Sequence, residues 1–411
     1  MIDGGAPVLL VRGGDALSAL CPRLARAPRL AVDVEANGLF AYRASLCVLQ
    51  IAWEEEGETR VAILDALGLD LSPLGPILGP DGPIKVLHDL TFDARMLDER
   101  GVPLGRARDT SVTARFLGRS ATGLQSLLAS ELGVTVDKRF QQHDWSERPL
   151  GPEHLAYLAN DVRYLLALDD RLTEQADALD LGPEIEVECA YKLASASMPP
   201  RDRRPGYVRI KGAQTLDMQG RAALRRLCEA REQAAEAADQ PPFKIAGNDL
   251  LLELARRRPA TRAALSAIPG ALSGRAARLS QAFLRAIAEG LRDGDIPDDD
   301  RPHFDPPRPD RAEIQRRRAK ESQVSRWRKA EAKRRGVDEQ AILPGHCAEQ
   351  LVDALLSHAP DDPALPAAIA AIPGLGARRF ERFSAAFLDL ARAEPPAAGP
   401  PPADPPADPG A

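Results

Sequence analysis

A strand-like segment near the amino terminus, Leu30-Ala31-Val32-Asp33-Val34-Glu35, carries two carboxylates one residue apart. Because side chains of a β-strand alternate between its faces, the two acids share one face and the two valines share the other. Two carboxylates this close repel each other unless a cation lies between them, and hard cations such as Mg²⁺ prefer oxygen ligands. The segment therefore predicts a buried strand with a metal site on one face, although a solvated strand end has the same pattern.

Around this segment, residues 1 to about 190 alternate short apolar runs with helix-like periods. Further strands are predicted at 46–53, 60–64 and 84–87, each bounded by glycine, proline or charged residues. Helices are predicted at 92–99, 111–117, 124–132 and, most clearly, 152–176. An early sheet followed by helices indicates a mixed α/β domain over residues 1–195.

The rest of the chain divides by composition into two helical blocks and the segments around them. Residues 196–218 and 294–310 are rich in proline and charge and are expected to be linkers. Residues 219–293 have helical periods with breaks that indicate about five short helices, and residues 311–393 form a second helical block. Residues 394–411 consist almost entirely of proline, alanine, glycine and aspartate and are expected to be a disordered tail.

The two helical blocks share a local pattern. Residues 263–270 read Ala-Ala-Leu-Ser-Ala-Ile-Pro-Gly, and residues 367–374 read Ala-Ala-Ile-Ala-Ala-Ile-Pro-Gly. Basic residues and then a Phe-Leu pair, at 283–284 and at 387–388, follow each copy. The repetition predicts a duplicated helical module, with chance similarity in alanine-rich sequence as the alternative.

Overall charge and cysteine usage restrict the class of protein. The formal net charge of −6 argues against polyanion binding by the whole surface, so any contact with nucleic acid must come from local basic patches. The five cysteines are scattered and odd in number, which indicates reduced thiols rather than disulfides or a zinc cluster. No apolar run approaches the length of about 18 residues needed for a membrane span. We expect a cytoplasmic protein that does not insert into a membrane.

Two later segments add carboxylates to the first pair. Asp93 lies where a strand ends and a helix begins, so it is a second candidate ligand or simply a first-turn acid interacting with the helix dipole. Asp89 is the fallback for this position. Tyr157 and Asp161 are four residues apart on a predicted helix and therefore share one face. The alternative is a tyrosine at the edge of the core beside a solvated aspartate.

Taken together, these residues resemble the four-acid-plus-tyrosine motif set of the DEDDy group of 3′-to-5′ exonucleases. The matching residues, in the same order, are Asp33, Glu35, Asp93, Tyr157 and Asp161. Asp109-Thr110, the predicted helix at 123–127 and the run 132–150 resemble the ribonuclease D family in particular, although Val34 stands where that family more often has threonine. The block at 219–293 resembles the HRDC domain, and the block at 311–393 resembles it more weakly. The resemblance implies an RNase H-like α/β exonuclease domain followed by two all-α HRDC-type domains.

The resemblance also implies a metal-dependent mechanism. Two Mg²⁺ or Mn²⁺ ions would lie about 3.5 to 4 Å apart, with Asp33 bridging them, Glu35 and Asp161 completing one site, and Asp93 serving the other. An unperturbed phenol has a pKa near 10, so Tyr157 is expected to orient the attacking water rather than to act as a general base. In relatives that use a histidine for this role, the histidine stands where this chain has Ala156.

Four residues beside these motifs are candidate contacts for the terminal nucleotides, with plain packing as the alternative: Leu39, Gln50, His88 and Phe92. The segment 311–335 contains 11 basic and 3 acidic residues together with Trp327, which favours contact with the RNA backbone. The predicted function is a metal-dependent 3′-to-5′ exoribonuclease that releases nucleoside 5′-monophosphates and trims the 3′ ends of tRNA precursors. A DNA exonuclease on the same site and a non-catalytic RNA-binding scaffold are the alternatives.

Overall fold

The computed structural model describes residues 8–199, 202–305 and 310–393. These residues build an α/β domain with its own apolar core, followed by two helical domains that each have a separate core. The tail predicted to be disordered, 394–411, lies outside the described residues. Among the described helices, none combines the length and the apolar composition needed to cross a bilayer.

A six-stranded mixed sheet forms the centre of the α/β domain, with the strand order β1-β4-β3-β2-β5-β6. The strands are β1 (Val8–Val11), β2 (Arg29–Ala36), β3 (Leu46–Glu55), β4 (Glu58–Asp65), β5 (Ile84–Leu87) and β6 (Ala107–Asp109). β3 pairs antiparallel with β2 and β4, whereas β5 lies parallel to β2 and to β6. The four predicted strands are thus confirmed, and the two short edge strands β1 and β6 were missed.

Helices surround this sheet. They are α1 (Gly14–Arg26), α2 (Gly75–Leu78), α3 (Thr91–Asp98), α4 (Thr110–Phe116), α5 (Leu124–Leu127), α6 (Pro152–Arg163), α7 (Leu165–Ala178) and α8 (Gly182–Ala196). The single helix predicted at 152–176 is wrong in one respect. Tyr164, with φ −103° and ψ −3°, follows the last residue of α6 and precedes α7, so the segment forms two consecutive helices. Since β3 is buried at every residue from Leu46 to Trp53, both faces of the sheet are covered.

The first helical domain comprises α9 (Met218–Ala237), α10 (Pro242–Ile245), α11 (Asn248–Arg257), α12 (Arg262–Ser266), α13 (Ser280–Asp293) and α14 (Arg301–Phe304). Its core extends beyond the boundaries predicted from composition. Tyr207, Ile210 and Leu216 on one side, and Ile296 and Phe304 on the other, are buried in it. The segments predicted to be linkers are therefore largely parts of this domain, because their few apolar side chains pack against its helices.

The second helical domain comprises α15 (Arg311–Arg335), α16 (Glu339–Ile342), α17 (Gly345–Ser357), α18 (Leu365–Ala370) and α19 (Ala377–Arg392). The repeated sequence pattern has matching structure in the two domains. Ile268 and Ile372 are both buried, and the glycines of the two Ile-Pro-Gly turns both have positive φ, +84° at Gly270 and +81° at Gly374. These shared features favour a duplicated module, which remains a prediction.

A buried arginine fixes the second helical domain to the α/β domain. Arg379 on α19 is 1% exposed and donates to the carbonyl of Glu184 on α8 at 3.3 Å. The same guanidinium donates to three carbonyls of its own domain, those of Ala341, Gly374 and Leu375. Arg382 adds an ion pair with the Glu184 carboxylate at 2.7 Å. The orientation of this domain on α8 is therefore specified by directional hydrogen bonds.

We expect Arg379→Met to lower the free energy of unfolding by about 3 kcal/mol, because it leaves buried carbonyls without donors. Urea denaturation followed by circular dichroism measures the change. Arg392→Met is the matched control, since Arg392 lies on the same helix with its side chain 57% exposed. Equal effects of the two substitutions would contradict the assigned role of Arg379.

Candidate active site

β2 presents its two acids to the same side of the sheet. Val32 and Val34 are buried in the core, whereas Asp33 and Glu35 are only partly buried, as the alternation predicted. The pairing with β3 shifts register immediately after Glu35, so the acids lie close to the end of the regular strand. The strand thus holds two carboxylates at a fixed spacing on a rigid element.

Helix α6 brings the third carboxylate to this pair. It packs across β2, β3 and β4, and Tyr157 and Asp161 lie on its face one turn apart. Carboxylate oxygens of Asp33, Glu35 and Asp161 all lie within 4.8 Å of one another. Residues that are more than 120 positions apart in the sequence therefore form one acidic cluster.

Asp93 lies beside this cluster rather than within the group of three. It occupies the first turn of α3, which follows β5, the parallel neighbour of β2. Asp93 is 5% exposed, and its Oδ2 has no hydrogen-bond partner among the described residues. Burial and the negative charges of Asp33, Asp109 and Glu35 raise its pKa well above the usual range. Asp89, by contrast, is exposed and pairs with Lys192 at 3.0 Å.

The cluster is electrostatically strained in the absence of a cation. Burial raises the pKa of Asp33 to about 7. Burial, followed by the charge of Asp33, raises the pKa of Asp161 to about 8. Burial and the charges of Asp33 and Asp161 raise the pKa of Glu35 to about 9. Within the described parts of the chain, no lysine or arginine forms an ion pair with these three residues or with Asp93. Among the described residues, no basic side chain therefore neutralises the carboxylate cluster.

This donor set fits divalent metal ions. It consists only of carboxylate oxygens, which Mg²⁺ and Mn²⁺ favour. The oxygens of Asp33, Glu35 and Asp161 lie close to one another, and Asp93 adds a buried oxygen without a hydrogen-bond partner among the described residues. A bound cation would replace the repulsion among the carboxylates by attraction. The expectation of a divalent-metal site therefore agrees with the geometry.

Tyr157 stands next to the cluster in an aromatic wall. Its ring centre lies 5.7 Å from that of Trp145, with the planes nearly parallel, and 5.7 Å from that of Phe140 in an edge-to-face contact. Burial and the charges of Asp161, Glu35 and Asp33 raise the pKa of the phenol above its ordinary value. Tyr157 is consequently a hydrogen-bond donor at neutral pH and cannot serve as a base.

Two ion-pair networks hold the segments that carry these residues. Arg148 bonds both oxygens of Asp65 on β4, at 2.7 and 2.8 Å, and donates to the carbonyl of Trp145, which anchors the loop before α6 to the sheet. Buried Asp109 accepts from the backbone N–H groups of Asp89 and Leu90 and from Lys192 on α8. The second network fixes the turn that leads to Asp93.

The four candidate substrate residues have different surroundings. Leu39 and Phe92 are 48% and 49% exposed, so both are available for contact with bases. His88 is partly buried, and its Nδ1 lies 2.8 Å from the Thr110 hydroxyl. Burial lowers the pKa of His88, which keeps the ring neutral at pH 7.

Gln50 does not fit its expected role as a direct contact to the terminal nucleotide. It is fully buried opposite Asp33 in the β2–β3 pairing, so no part of it reaches a bound strand in this conformation. Neither polar atom of its amide has a hydrogen-bond partner among the described residues. Its position beside Asp33, on the same face of the sheet, instead favours a contact with groups held by the cluster.

Comparisons with known proteins agree with this geometry. Residues 10–177 match the 3′-5′ exonuclease family, and residues 220–287 match the HRDC domain. The chain is 31% identical to ribonuclease D of Granulibacter bethesdensis over 71% of this chain and 74% of the relative, and 32% identical to that of Acidiphilium cryptum over the same shares. The chain belongs to the ribonuclease D family. Its fold resembles the crystal structure of Escherichia coli RNase D, with a TM-score of 0.67 and 23% identity over 94% of this chain and 99% of the other.

Membership of the ribonuclease D family makes the protein a 3′-to-5′ exoribonuclease with an RNase H-like exonuclease domain and an HRDC domain. The family depends on divalent metal, which agrees with the acidic cluster. Sequence reasoning missed Trp145, Lys192 and Asp109 as parts of the site. Trp145 and Asp109 lie in the segments that carry the family resemblance, but only the folded contacts reveal what each of them does.

The raised pKa values have a consequence for stability. Relative to an unfolded chain with carboxylate pKa values near 4, the folded protein retains protons on Asp33, Glu35 and Asp161 up to about pH 7 to 9. These groups therefore lower the free energy of unfolding of the metal-free protein as pH rises from about 4 to 9. We expect metal-free Asp161→Asn to have a higher Tm than metal-free wild type at about pH 8, with the difference vanishing near pH 4.

Calorimetry with and without Mg²⁺ measures this effect, and Mg²⁺ should raise the Tm of the wild type more than that of Asp161→Asn. Asp81→Asn, at an exposed carboxylate, is the control and should leave Tm unchanged. A Tm difference between Asp161→Asn and wild type that does not vary with pH would contradict the prediction.

Proposed function

We propose that this exoribonuclease removes nucleoside 5′-monophosphates from RNA 3′ ends by a two-metal-ion mechanism and trims structured substrates such as tRNA precursors. The observation that carries the proposal is the set of carboxylates within 4.8 Å, beside buried Asp93 and a protonated tyrosine. Asp33 together with Glu35 and Asp161 would hold one Mg²⁺ or Mn²⁺ ion, and Asp33 together with Asp93 would hold the other. Bound cations would supply stabilisation of the charge on the phosphate and the leaving 3′ oxygen.

The chain's own side chains position the reactants. The Tyr157 hydroxyl donates a hydrogen bond that orients the attacking water, and the Trp145 and Phe140 rings keep the phenol in place. Leu39 and Phe92 contact the terminal bases without reading their identity, because apolar contact and stacking suit any base. The neutral His88 ring lies at the same edge of the site. A single-stranded 3′ end is therefore the form of RNA that this site accepts.

Tyr157→Phe tests the role of the hydroxyl while retaining the ring contacts. We expect kcat on a single-stranded RNA to fall about a hundredfold with KM nearly unchanged, since the lost donor acts on the water rather than on the bound strand. Tyr164→Phe makes the same change at the end of the same helix, between α6 and α7, and should have no effect. Asp33→Asn should abolish cleavage but leave RNA binding intact.

The assay is time-resolved digestion of 5′-labelled RNA and DNA of equal sequence, with Mg²⁺, with Mn²⁺ and with EDTA. Stepwise shortening of RNA that requires metal and is lost in Asp33→Asn is the expected result. Faster digestion of DNA would favour the DNA exonuclease. Intact strands under every condition, with binding retained, would favour the scaffold.

The second helical domain has the charge distribution needed to hold structured RNA. Five basic residues of α15 lie within an arc of about 80° at 3.6 residues per turn and extend over about 33 Å of helix. They are Arg311, Arg318, Arg326, Lys329 and Lys333, all exposed, and none has an ion-pair partner within the described ranges. We call these five residues the α15 stripe. The α15 stripe can follow a phosphate backbone.

The first helical domain differs in this respect. Arg221, Arg225, Arg226 and Arg258 each face a carboxylate of the same domain, at distances of 2.6 to 2.9 Å. These four arginines are thus neutralised internally. The α15 stripe is therefore the better candidate for contact with the folded body of a tRNA precursor.

Replacing Arg318, Arg326 and Lys329 together by glutamine tests the α15 stripe. The salt dependence of tRNA-precursor binding, expressed as the slope of log K against log salt, should become shallower by about two to three. Cleavage of a short single strand should not change. The matched control replaces Arg317 and Arg334, which lie on the same helix but are paired with Asp353 and Glu331. Equal losses in the two variants would refute a specific role for the stripe.

A further inference from the structure

The loop between β2 and β3, residues 37–45, leaves the strand that carries the catalytic acids. It begins two residues after Glu35 and includes Leu39, which is exposed. Asn37 closes the loop on itself, because its backbone N–H donates to the Ser45 carbonyl at 3.3 Å and its Oδ1 accepts from the Ser45 N–H at 2.8 Å. The conformation of this loop sets where Leu39 lies relative to Glu35.

The first helical domain holds the middle of this loop. Asp239 Oδ1 accepts a hydrogen bond from the Tyr42 backbone N–H at 3.0 Å, and Gln240 Nε2 donates to the Phe40 carbonyl at 3.2 Å. Lys244 Nζ lies 4.1 Å from the centre of the Phe40 ring. Asp239 and Gln240 lie in the turn after α9 and Lys244 lies in α10, about 200 positions after the loop in the sequence.

Two of these contacts are made to the loop's backbone, so they constrain the conformation of the loop whatever its side chains are. A surface loop with few buried apolar side chains is among the first parts of a protein to open locally. Leu39 and Phe40 are not among the fully buried residues of the α/β core. Inside the loop, the Phe40 and Ala41 N–H groups donate to the Asn37 carbonyl at 2.8 and 3.0 Å, whereas the described hydrogen bonds to the Tyr42 N–H and the Phe40 carbonyl come from the helical domain.

We propose that the first helical domain is a positioning element of the active site. Asp239, Gln240 and Lys244 fix the loop 37–45 and thereby hold Leu39 where it meets the 3′-terminal nucleotide. The inference rests on the proposed function, since it takes Leu39 as a contact for the RNA end. The domain therefore contributes to the binding of even the shortest substrates, in addition to any contact with distant RNA.

Asp239 provides the sharpest test because its backbone has φ +44°, which glycine and asparagine both tolerate. Asp239→Gly removes the acceptor without steric strain, and Asp239→Asn retains an oxygen that can accept from the Tyr42 N–H. We expect Asp239→Gly to raise KM for a short single-stranded RNA about five- to tenfold with kcat nearly unchanged, and Asp239→Asn to restore the wild-type KM.

Asp293→Ala is the matched control. Asp293 pairs with Arg225 and Arg226 inside the same domain and makes no hydrogen bond or ion pair with the loop in the described structure. It should lower the stability of the domain without changing KM for the short strand. A rise in KM for Asp293→Ala equal to that for Asp239→Gly would show that general loosening of the domain is responsible, and would overturn the proposal.

Hydrogen exchange at the Tyr42 amide provides a readout that does not depend on catalysis. Faster exchange in Asp239→Gly, reversed in Asp239→Asn, supports the proposed contact, and equal exchange in all variants overturns it. If wild type digests RNA and Asp239→Gly has unchanged KM, the positioning role is wrong while the exonuclease mechanism stands. If wild type fails to digest RNA with any metal, the proposed function fails, and the exchange experiment still decides whether the domain holds the loop.

Discussion

Mutual repulsion among four carboxylates is the constraint on which the rest of this structure depends. Strand β2 fixes Asp33 and Glu35 on one face, and α6 adds Asp161 within 4.8 Å, so separation could relieve the repulsion only if α6 left the sheet. Apolar packing of α6 against three strands prevents that movement. The protein thus retains an arrangement that is unfavourable without metal, as active sites often do, and the same repulsion supplies the affinity for a divalent cation.

The basic side chains of Lys192 and Arg148 form ion pairs with other carboxylates and not with those of the acidic cluster. Lys192 lies close to the site but is held between Asp109 and Asp89, and Arg148 is held by Asp65. If either cation reached the cluster, it would neutralise the carboxylates and compete with metal. Their actual partners instead fix the turn before Asp93 and the loop before Tyr157. These ion pairs therefore help to position the segments that carry Asp93 and Tyr157.

Sequence reasoning succeeded where the signal was local and failed where it depended on contacts between distant segments. Alternation along β2 and the spacing of Tyr157 and Asp161 identified residues that the fold brings together. Composition wrongly assigned Tyr207 and Phe304 to linkers, since only the packed domain shows what they bury against. Gln50 was expected at the substrate, but it is fully buried beside Asp33 in the strand pairing. The contacts of Asp239 and Arg379 join segments nearly 200 residues apart, and no local sequence pattern predicts such contacts.

The two helical domains have similar turns and buried isoleucines, yet their surfaces suit different tasks. The first pairs Arg221, Arg225, Arg226 and Arg258 with its own carboxylates and directs Asp239 and Gln240 to the loop that follows Glu35. The second places Arg379 in the interface with α8 and leaves the five residues of the α15 stripe exposed and without ion-pair partners within the described chain. Because directional bonds fix that second domain on the α/β domain, the α15 stripe lies at a constant position relative to the acidic cluster. The proposed contact of the stripe with folded RNA would therefore be made from a domain whose orientation on α8 is fixed by hydrogen bonds.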